Sequence, residues 1–392
     1  MYPTNQWNQI DPEFWRGKRV FVTGHTGFKG SWLCLWLQYL GAQVTGYAIA
    51  PPTSSNLFEL GQVGTGMVSI HGDVCDPVAL KQAMTDSQPE IVFHLAAQAL
   101  VRSSYSAPAM AYQANVMGAV NVLEAVRQTP SVRAVVNVTS NACYENRGWQ
   151  NGYRETDPLG GYDPHSNSKA CAEMVTATYR NTFFNPLSYG DHGVAVATAR
   201  SSNVIGGGDW ATDRLVPDVM KALLAGKSVV VRNPRATRPW QHVLEPLQGY
   251  LLLAERLYQE GIIFAEPWNF GPDERHCEMA GAIADQLYIL WGSPNNWQPE
   301  AEISDLYERA FLKLDSTKAR SRLGWHIVLD LKTALRWVVD WTKAYQVGED
   351  VRSLSLGQIR QFMSIAQSRS SSRTLADAAR DPETMKRLWS CC

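Results

Sequence analysis

The stretch RVFVTGHTGFKGSWLCLWLQYLGA, Arg19 to Ala42, restricts the fold more than any other part of this chain. An apolar strand pattern runs into Gly24, Gly27 and Gly30 and continues as an apolar helix pattern that stops at Gly41. A turn this tight between a strand and a helix needs residues without a Cβ. The N–H groups at the helix start are then free to hold an anion such as a pyrophosphate. At the first strand–helix junction of an alternating chain, the spacing points to dinucleotide binding.

The alternation continues. QVTGYAI reads as a second strand, followed by EIVFHLAA (Glu90 to Ala97), a helix in AYQANVMGAVNVLEAVRQT, the strand AVVNVTS (Ala134 to Ser140), a helix from Ser168 to about Phe183, and one strand in VAVATARSSNVIG (Val194 to Gly206). Strand and helix in strict alternation predict an α/β fold: a doubly wound parallel sheet of Rossmann type, with a second, smaller α/β substrate domain. Residues 14–206 are expected to form mainly the dinucleotide-binding part, and 207–345 mainly the substrate part, interleaved with the first. In the extension 348–392, SRSSSR (Ser368 to Arg373) reads as a linker and TLADAARDPETMKRLWS as a terminal amphipathic helix.

The net charge of −1 and the lack of a Lys/Arg run argue against a nucleic-acid partner and for a small molecule. No apolar run approaches the roughly eighteen residues of a membrane span, and the leader lacks the build of a signal peptide, so the expected location is the cytoplasm. The seven cysteines have no metal-ligand spacing, which predicts buried free thiols and no metal; Cys391 and Cys392 form an oxidation-prone tail. The carboxylate that usually follows the glycine loop by about 20 residues is missing from GYAIAPP, and no arginine stands there for a 2′-phosphate. NAD is therefore favoured over NADP. Asp73 and Val74 of HGDVCD fall where such folds hold the adenine.

VTGHTGFKGSWL, HLAAQALVRSSY, CYEN, GYDPHSNSK, NVIGGGDW, DRLVPD and RPWQHVLEPLQGYLLLAE together resemble the extended short-chain dehydrogenase/reductases. More narrowly, they resemble the CDP-glucose 4,6-dehydratases, from about Phe14 to Trp341. The resemblance implies NAD as cofactor and a CDP-sugar, CDP-glucose first, as the partner. It also implies a lyase reaction that supplies deoxysugars for cell-surface polysaccharide such as lipopolysaccharide O-antigen, and a homodimer or homotetramer. By the same resemblance the cofactor contacts are Gly24, Gly27, Phe28, Gly30, Asp73, Val74, Ala96 and Lys169. Arg102, Asn203, Arg214, Arg238 and His242 line the nucleotide–sugar site, and Tyr105, Tyr144 and Glu145 belong to the same pocket by analogy.

In the reaction that the resemblance implies, NAD takes a hydride from sugar C4 while a tyrosine beside a lysine removes the hydroxyl proton. An acid and a base then expel water across C5 and C6, and the hydride returns at C6. The family's serine falls on Ser140 and its lysine on Lys169. The acid, base and tyrosine positions hold Asn141, Ala142 and His165. Asn141 can hydrogen-bond a hydroxyl but delivers no proton, and Ala142 does neither. His165 can act as a base near neutral pH, although it is shorter than tyrosine and the neighbouring Lys169 disfavours its charged form. Ser201 and Ser202 stand where the family is expected to hold Ala and Gly. Three readings follow: a dehydratase with impaired elimination, a CDP-sugar epimerase or oxidoreductase, and a natural or engineered non-catalytic nucleotide-sugar binder.

Overall fold

A computed structural model describes residues 9–294, 296–300 and 312–378. In chain order the strands are β1 (Arg19–Thr23), β2 (Gln43–Ala48), β3 (Val68–His71), β4 (Ile91–His94), β5 (Ala134–Val138) and β6 (Ala195–Ser201). They are followed by β7 (Asn203–Ile205), β8 (Val230–Val231), β9 (Thr237–His242), β10 (Pro267–Phe270), β11 (Cys277–Met279) and β12 (Gln298–Pro299). The longer helices are α1 (Phe28–Tyr39), α2 (Pro77–Ser87), α3 (Gly118–Arg127), α4 (Pro164–Thr182), α5 (Leu215–Leu224), α6 (Leu244–Glu260), α7 (Ala280–Trp291), α8 (Leu331–Gln346) and α9 (Val351–Ala378).

Seven strands form one sheet in the order β10-β6-β5-β4-β1-β2-β3, and every neighbouring pair is parallel. The chain winds outward from β1 to β3, then returns to β4 on the other side of β1. That reversal opens a crevice at the C-terminal strand ends, where ligands of open α/β sheets bind. β4, β5 and β6 are buried along their whole length, because helices cover both faces. Trp32, Trp36, Val22, Phe93, Val136 and Trp268 pack one face, and Phe21, Val92, Val135, Leu123 and Val196 the other.

A smaller layer covers the crevice side. β9 pairs with β7 in parallel and with β11 antiparallel, and β8 pairs with β12. Its apolar cluster contains Val219, Leu223, Leu287, Leu335 and Val338.

Three expectations need correction. VAVATARSSNVIG is two strands rather than one: β6 ends at Ser201 opposite Phe270, and past Ser202 the chain enters β7 and pairs with β9. The helix expected from Ser168 starts at Pro164, because Asp163 caps it by accepting the Ser166 N–H at 2.9 Å and proline suits its first turn. His165 is therefore inside the first helical turn. The expected linker Ser368 to Arg373 lies within α9. Serine is tolerated there because its hydroxyl can bond back to the carbonyl four residues earlier, as Ser355 does to Val351 O and Ser368 to Ser364 O, each at 2.7 Å. Phe362 packs edge-on against Trp36 of α1, and Arg352 donates to the carbonyls of Gly61 and Gln62. Thr374 to Ala378 continue α9; the rest of the expected terminal helix, with Cys391 and Cys392, lies outside the described residues.

Candidate active site

The glycine loop follows β1 directly. Gly24 has φ of 75°, and a Cβ there would sit 2.7 Å from the backbone nitrogen of Ala96. At Gly30 a Cβ would come within 2.1 Å of the Gly24 carbonyl oxygen. The loop thus packs backbone on backbone, and Gly27, the N-cap of α1, offers no side-chain acceptor to the helix N–H groups. This is the geometry of an anion cradle. His25 is buried under the loop with Nε2 2.7 Å from Ser69 Oγ, and burial lowers it to about 4, so it is neutral. Its ring lies over Gly46 of β2, where a Cβ would come within 2.3 Å of it. Asp73 and Val74 follow β3; Asp73 accepts the Cys75 N–H at 2.9 Å, and Val74 is buried beside Gly118.

The candidate catalytic residues lie at the end of β5 and in the first turns of α4. Ser140 caps a short turn, Asn141–Cys143, accepting the Ala142 N–H at 3.1 Å and donating to Asn141 Oδ1 at 3.3 Å. Asn141 donates its amide N–H to Leu312 O at 3.2 Å, and Ala142 is buried. His165 is buried and fixed through its backbone N–H to Ser104 Oγ at 3.1 Å. Lys169, one helical turn on, donates to Val138 O at 3.3 Å. Burial lowers its ammonium to about 8, against the pull of the Glu173 carboxylate. His94, whose Nδ1 lies 2.7 Å from Thr23 Oγ1, is pushed down to about 3 by burial and by the Lys169 charge.

Lys29 was not among the residues expected in the site. It projects from the first turn of α1 and donates to Ser201 Oγ at 2.7 Å. Burial, then the charges of Arg214 and Lys169, lower it to about 7, while Asp209 opposes them. Two signals could have found it: a cation inside a glycine loop, and a serine where alanine is expected at the end of β6. Ser202 is buried against Gly271, where a Cβ would lie 2.9 Å from its hydroxyl oxygen.

On the side expected to hold the sugar, Asn203 of β7 is in register with Trp240 of β9, and β9 also carries Arg238 and His242. Arg238 donates to Thr237 O at 3.2 Å. His242 is 1% exposed, edge-on to Trp32 and Trp337, and burial lowers it to about 3, so it is a neutral support enclosed by rings. Arg214 pairs with Asp209 at 3.1 Å, and Arg102 lies 3.8 Å from Asp213, so one loop gathers both arginines. Tyr144 is fully buried, its hydroxyl donating to Asn269 Oδ1 at 2.8 Å, whereas Tyr105 is 36% exposed. Among the described residues no cluster of three or more His, Cys, Asp or Glu could hold a metal, and no helix is long and apolar enough to cross a membrane.

Comparison with known proteins shows the family and the fold. The family described as GDP-mannose 4,6 dehydratase matches residues 21–337. The chain is 51% identical over 355 residues to CDP-glucose 4,6-dehydratase of Salmonella typhimurium, covering 91% of this chain and 99% of that protein. It is 24% identical over 336 residues to a dTDP-glucose 4,6-dehydratase of Xanthomonas campestris, covering 82% and 92%. Among solved structures, UDP-glucose 4-epimerase of Thermotoga maritima superposes with a TM-score of 0.72 at 21% identity, covering 83% of this chain and 99% of that one. dTDP-glucose 4,6-dehydratase of Bacillus anthracis gives 0.68 at 21% identity, covering 86% and 100%, so the fold is shared well beyond the near relatives. With most of its length matched by one family and half its residues shared with a full-length relative, this chain belongs to the nucleotide-sugar 4,6-dehydratase family, in the line of CDP-glucose 4,6-dehydratase.

Proposed function

We propose that the chain binds NAD and a CDP-sugar, CDP-glucose first, and retains the redox half of 4,6-dehydratase chemistry while its elimination of water is crippled. The observation that carries this reading is the Ser140–Asn141–Ala142 turn. The Asn141 amide is committed to Leu312 O and to Ser140, and Ala142 is a buried methyl, so neither supplies an acid or a base.

The glycine cradle fits a dinucleotide diphosphate: Gly24, Gly27, Phe28 and Gly30 would hold it through backbone N–H groups, with Ala96, Asp73, Val74 and Lys169 completing the contacts. When bound, NAD accepts a hydride from sugar C4 and can return it. The protein's own part is to place the sugar and move protons. His165 would take the proton of the 4-hydroxyl, and Ser140 would hold that hydroxyl. Arg102, Asn203, Arg214 and Arg238 would bind the nucleotide diphosphate and sugar, with His242 behind them.

A mainly cofactor-binding part, residues 14–206, interleaved with a mainly sugar-binding part, 207–345, is supported by the exchange of strands between the two sheets: β7 joins β9 and β11, and β10 closes the larger sheet. A homodimer or homotetramer is supported by exposed Met110, Met117 and Met174 on and before the helix that carries Lys169. A cytoplasmic location is supported by the proposed ligands, NAD and a nucleotide sugar.

The test is to incubate the protein with NAD and CDP-glucose and follow the alkali-induced absorbance of the 4-keto product, with mass spectrometry for loss of water. The triple variant His165→Tyr, Asn141→Asp, Ala142→Lys should gain at least about 100-fold in dehydration over the parent, the usual worth of positioned acid–base groups. A parent that dehydrates CDP-glucose as fast as the triple variant, or that fails to bind CDP-glucose in calorimetry, overturns the reading.

A further inference from the structure

Helix α4 carries His165, Lys169 and Glu173 at intervals of four residues, which puts all three on one stripe of its surface. The first two are site residues. Glu173 has no role in the chemistry described so far. It is 3% exposed at its side chain, and its carboxylate accepts hydrogen bonds from Thr139 Oγ1, from Thr198 Oγ1 at 2.7 Å and from Arg200 Nη2 at 2.7 Å. Arg200, 2% exposed, also donates to Tyr144 Oη at 2.6 Å.

A buried ion pair is common as a structural filler, and apolar residues can often replace it without loss. Two placements here go beyond that role. The residue gripped by Glu173, Thr139, lies between Val138, whose carbonyl accepts the Lys169 ammonium, and Ser140, the retained serine. The same carboxylate is also one helical turn from Lys169.

We propose that Glu173 is a positioning residue for the Ser140–Lys169 pair: it ties the end of β5 to α4 and supplies the negative charge that Lys169 faces. The proposal rests on the reading of Ser140 and Lys169 as site residues.

The groups that face Lys169 are Glu173 on its own helix, Cys143 from the turn after β5, His94 at the end of β4 and Lys29 from α1. Glu173 in turn faces Arg200 from β6 and Arg180 further along α4. Among the groups that set the Lys169 charge, Glu173 is the leading one that favours the ammonium, and Arg200 is not among them.

The test reads the Lys169 amine directly, with no ligand and no turnover. The whole protein is pulsed with acetic anhydride between pH 6 and 10, and acetylation of the Lys169 peptide is followed by mass spectrometry. In the parent the rate should rise with a midpoint near pH 8. In Glu173→Gln the midpoint should fall, and a fall of one pH unit, from about 8 to about 7, raises the free amine at pH 7 about fivefold. Glu173→Asp keeps the charge and should stay near the parent. Because Glu173→Gln leaves Arg200 unpaired and can destabilise the fold, the double variant Glu173→Gln, Arg200→Met removes both charges. A charge role lowers the midpoint there too, and a merely structural role leaves it at the parent value. An unchanged midpoint in the folded double variant overturns the proposal. Calorimetry with CDP-glucose on the same samples reports on the proposed function separately, since it does not depend on the Lys169 titration.

Discussion

Replacing Lys29 with methionine keeps the aliphatic stem and removes the charge. In the folded protein the amine is lowered from its ordinary 10.5 to about 7, first by burial and then by Arg214 and Lys169. The unfolded chain therefore binds a proton that the folded chain gives up across this range, so the parent gains stability as pH rises from about 7 towards 10. At about 1.4 kcal/mol per pH unit, holding the charged lysine costs about 4 kcal/mol at pH 7 and about 2 kcal/mol at pH 9, and the cost levels off below pH 6. The bond to Ser201 lost in the variant subtracts about 1 kcal/mol from its advantage, without pH dependence in this range. Lys29→Met should thus be more stable than the parent at pH 7, and the gap should close by about 2 kcal/mol by pH 9. Urea unfolding followed by circular dichroism at pH 6, 7, 8 and 9 measures it. A gap that is constant across pH, or that favours the parent at pH 7, refutes the view that this amine sits desolvated among cations.

Three further outcomes are expected. Phe362→Ala, at a fully buried ring of α9 against Trp36, should cost about 3–5 kcal/mol in urea unfolding, and a loss below about 1 kcal/mol would show that α9 is not part of the core. Gly30→Ala puts a Cβ 2.1 Å from the Gly24 carbonyl and should lower both melting temperature and NAD affinity, the latter at least about tenfold by titration; Gly190→Ala, with nothing within 4 Å, is the silent control. Glu255 accepts the Trp15 indole N–H at 2.5 Å and the Asp11 N–H at 3.2 Å, and burial raises its carboxyl to about 8. Its unfolded form ionises near 4.5, so the parent loses stability between pH 4.5 and 8; Glu255→Gln should gain on the parent over that window in thermal melts, and no gain would count against the protonated form.

The dinucleotide half of the fold was legible because its signals are local. A glycine loop and alternating apolar runs are readable within about 30 residues. The split between β6 and β7 was not, since nothing in RSSNV announces that Asn203 finds its partner at Trp240. The serine-rich stretch misled because composition favours a loop, whereas burial of Phe362 and Ile359 against the core decides for helix. In the candidate site, the motifs pointed to Ser140, Asn141, Ala142, His165 and Lys169, which lie after the end of β5 and in the first turns of α4. Lys29 and Glu173 were missed, because a cation in a turn and an acid inside a helix acquire meaning only from what folds against them.

The strand that closes the sheet beyond β6 comes from residues 267–270, late in the chain. While the ribosome has delivered only the first 206 residues, β6 presents a bare edge of backbone N–H and C=O groups along a wholly buried strand, a template for wrong pairing between nascent chains. A fragment cut after Gly206 would inherit that defect permanently. Residues 14–206 are therefore not a detachable module: their sheet is completed only when residues 267–270 pair with β6.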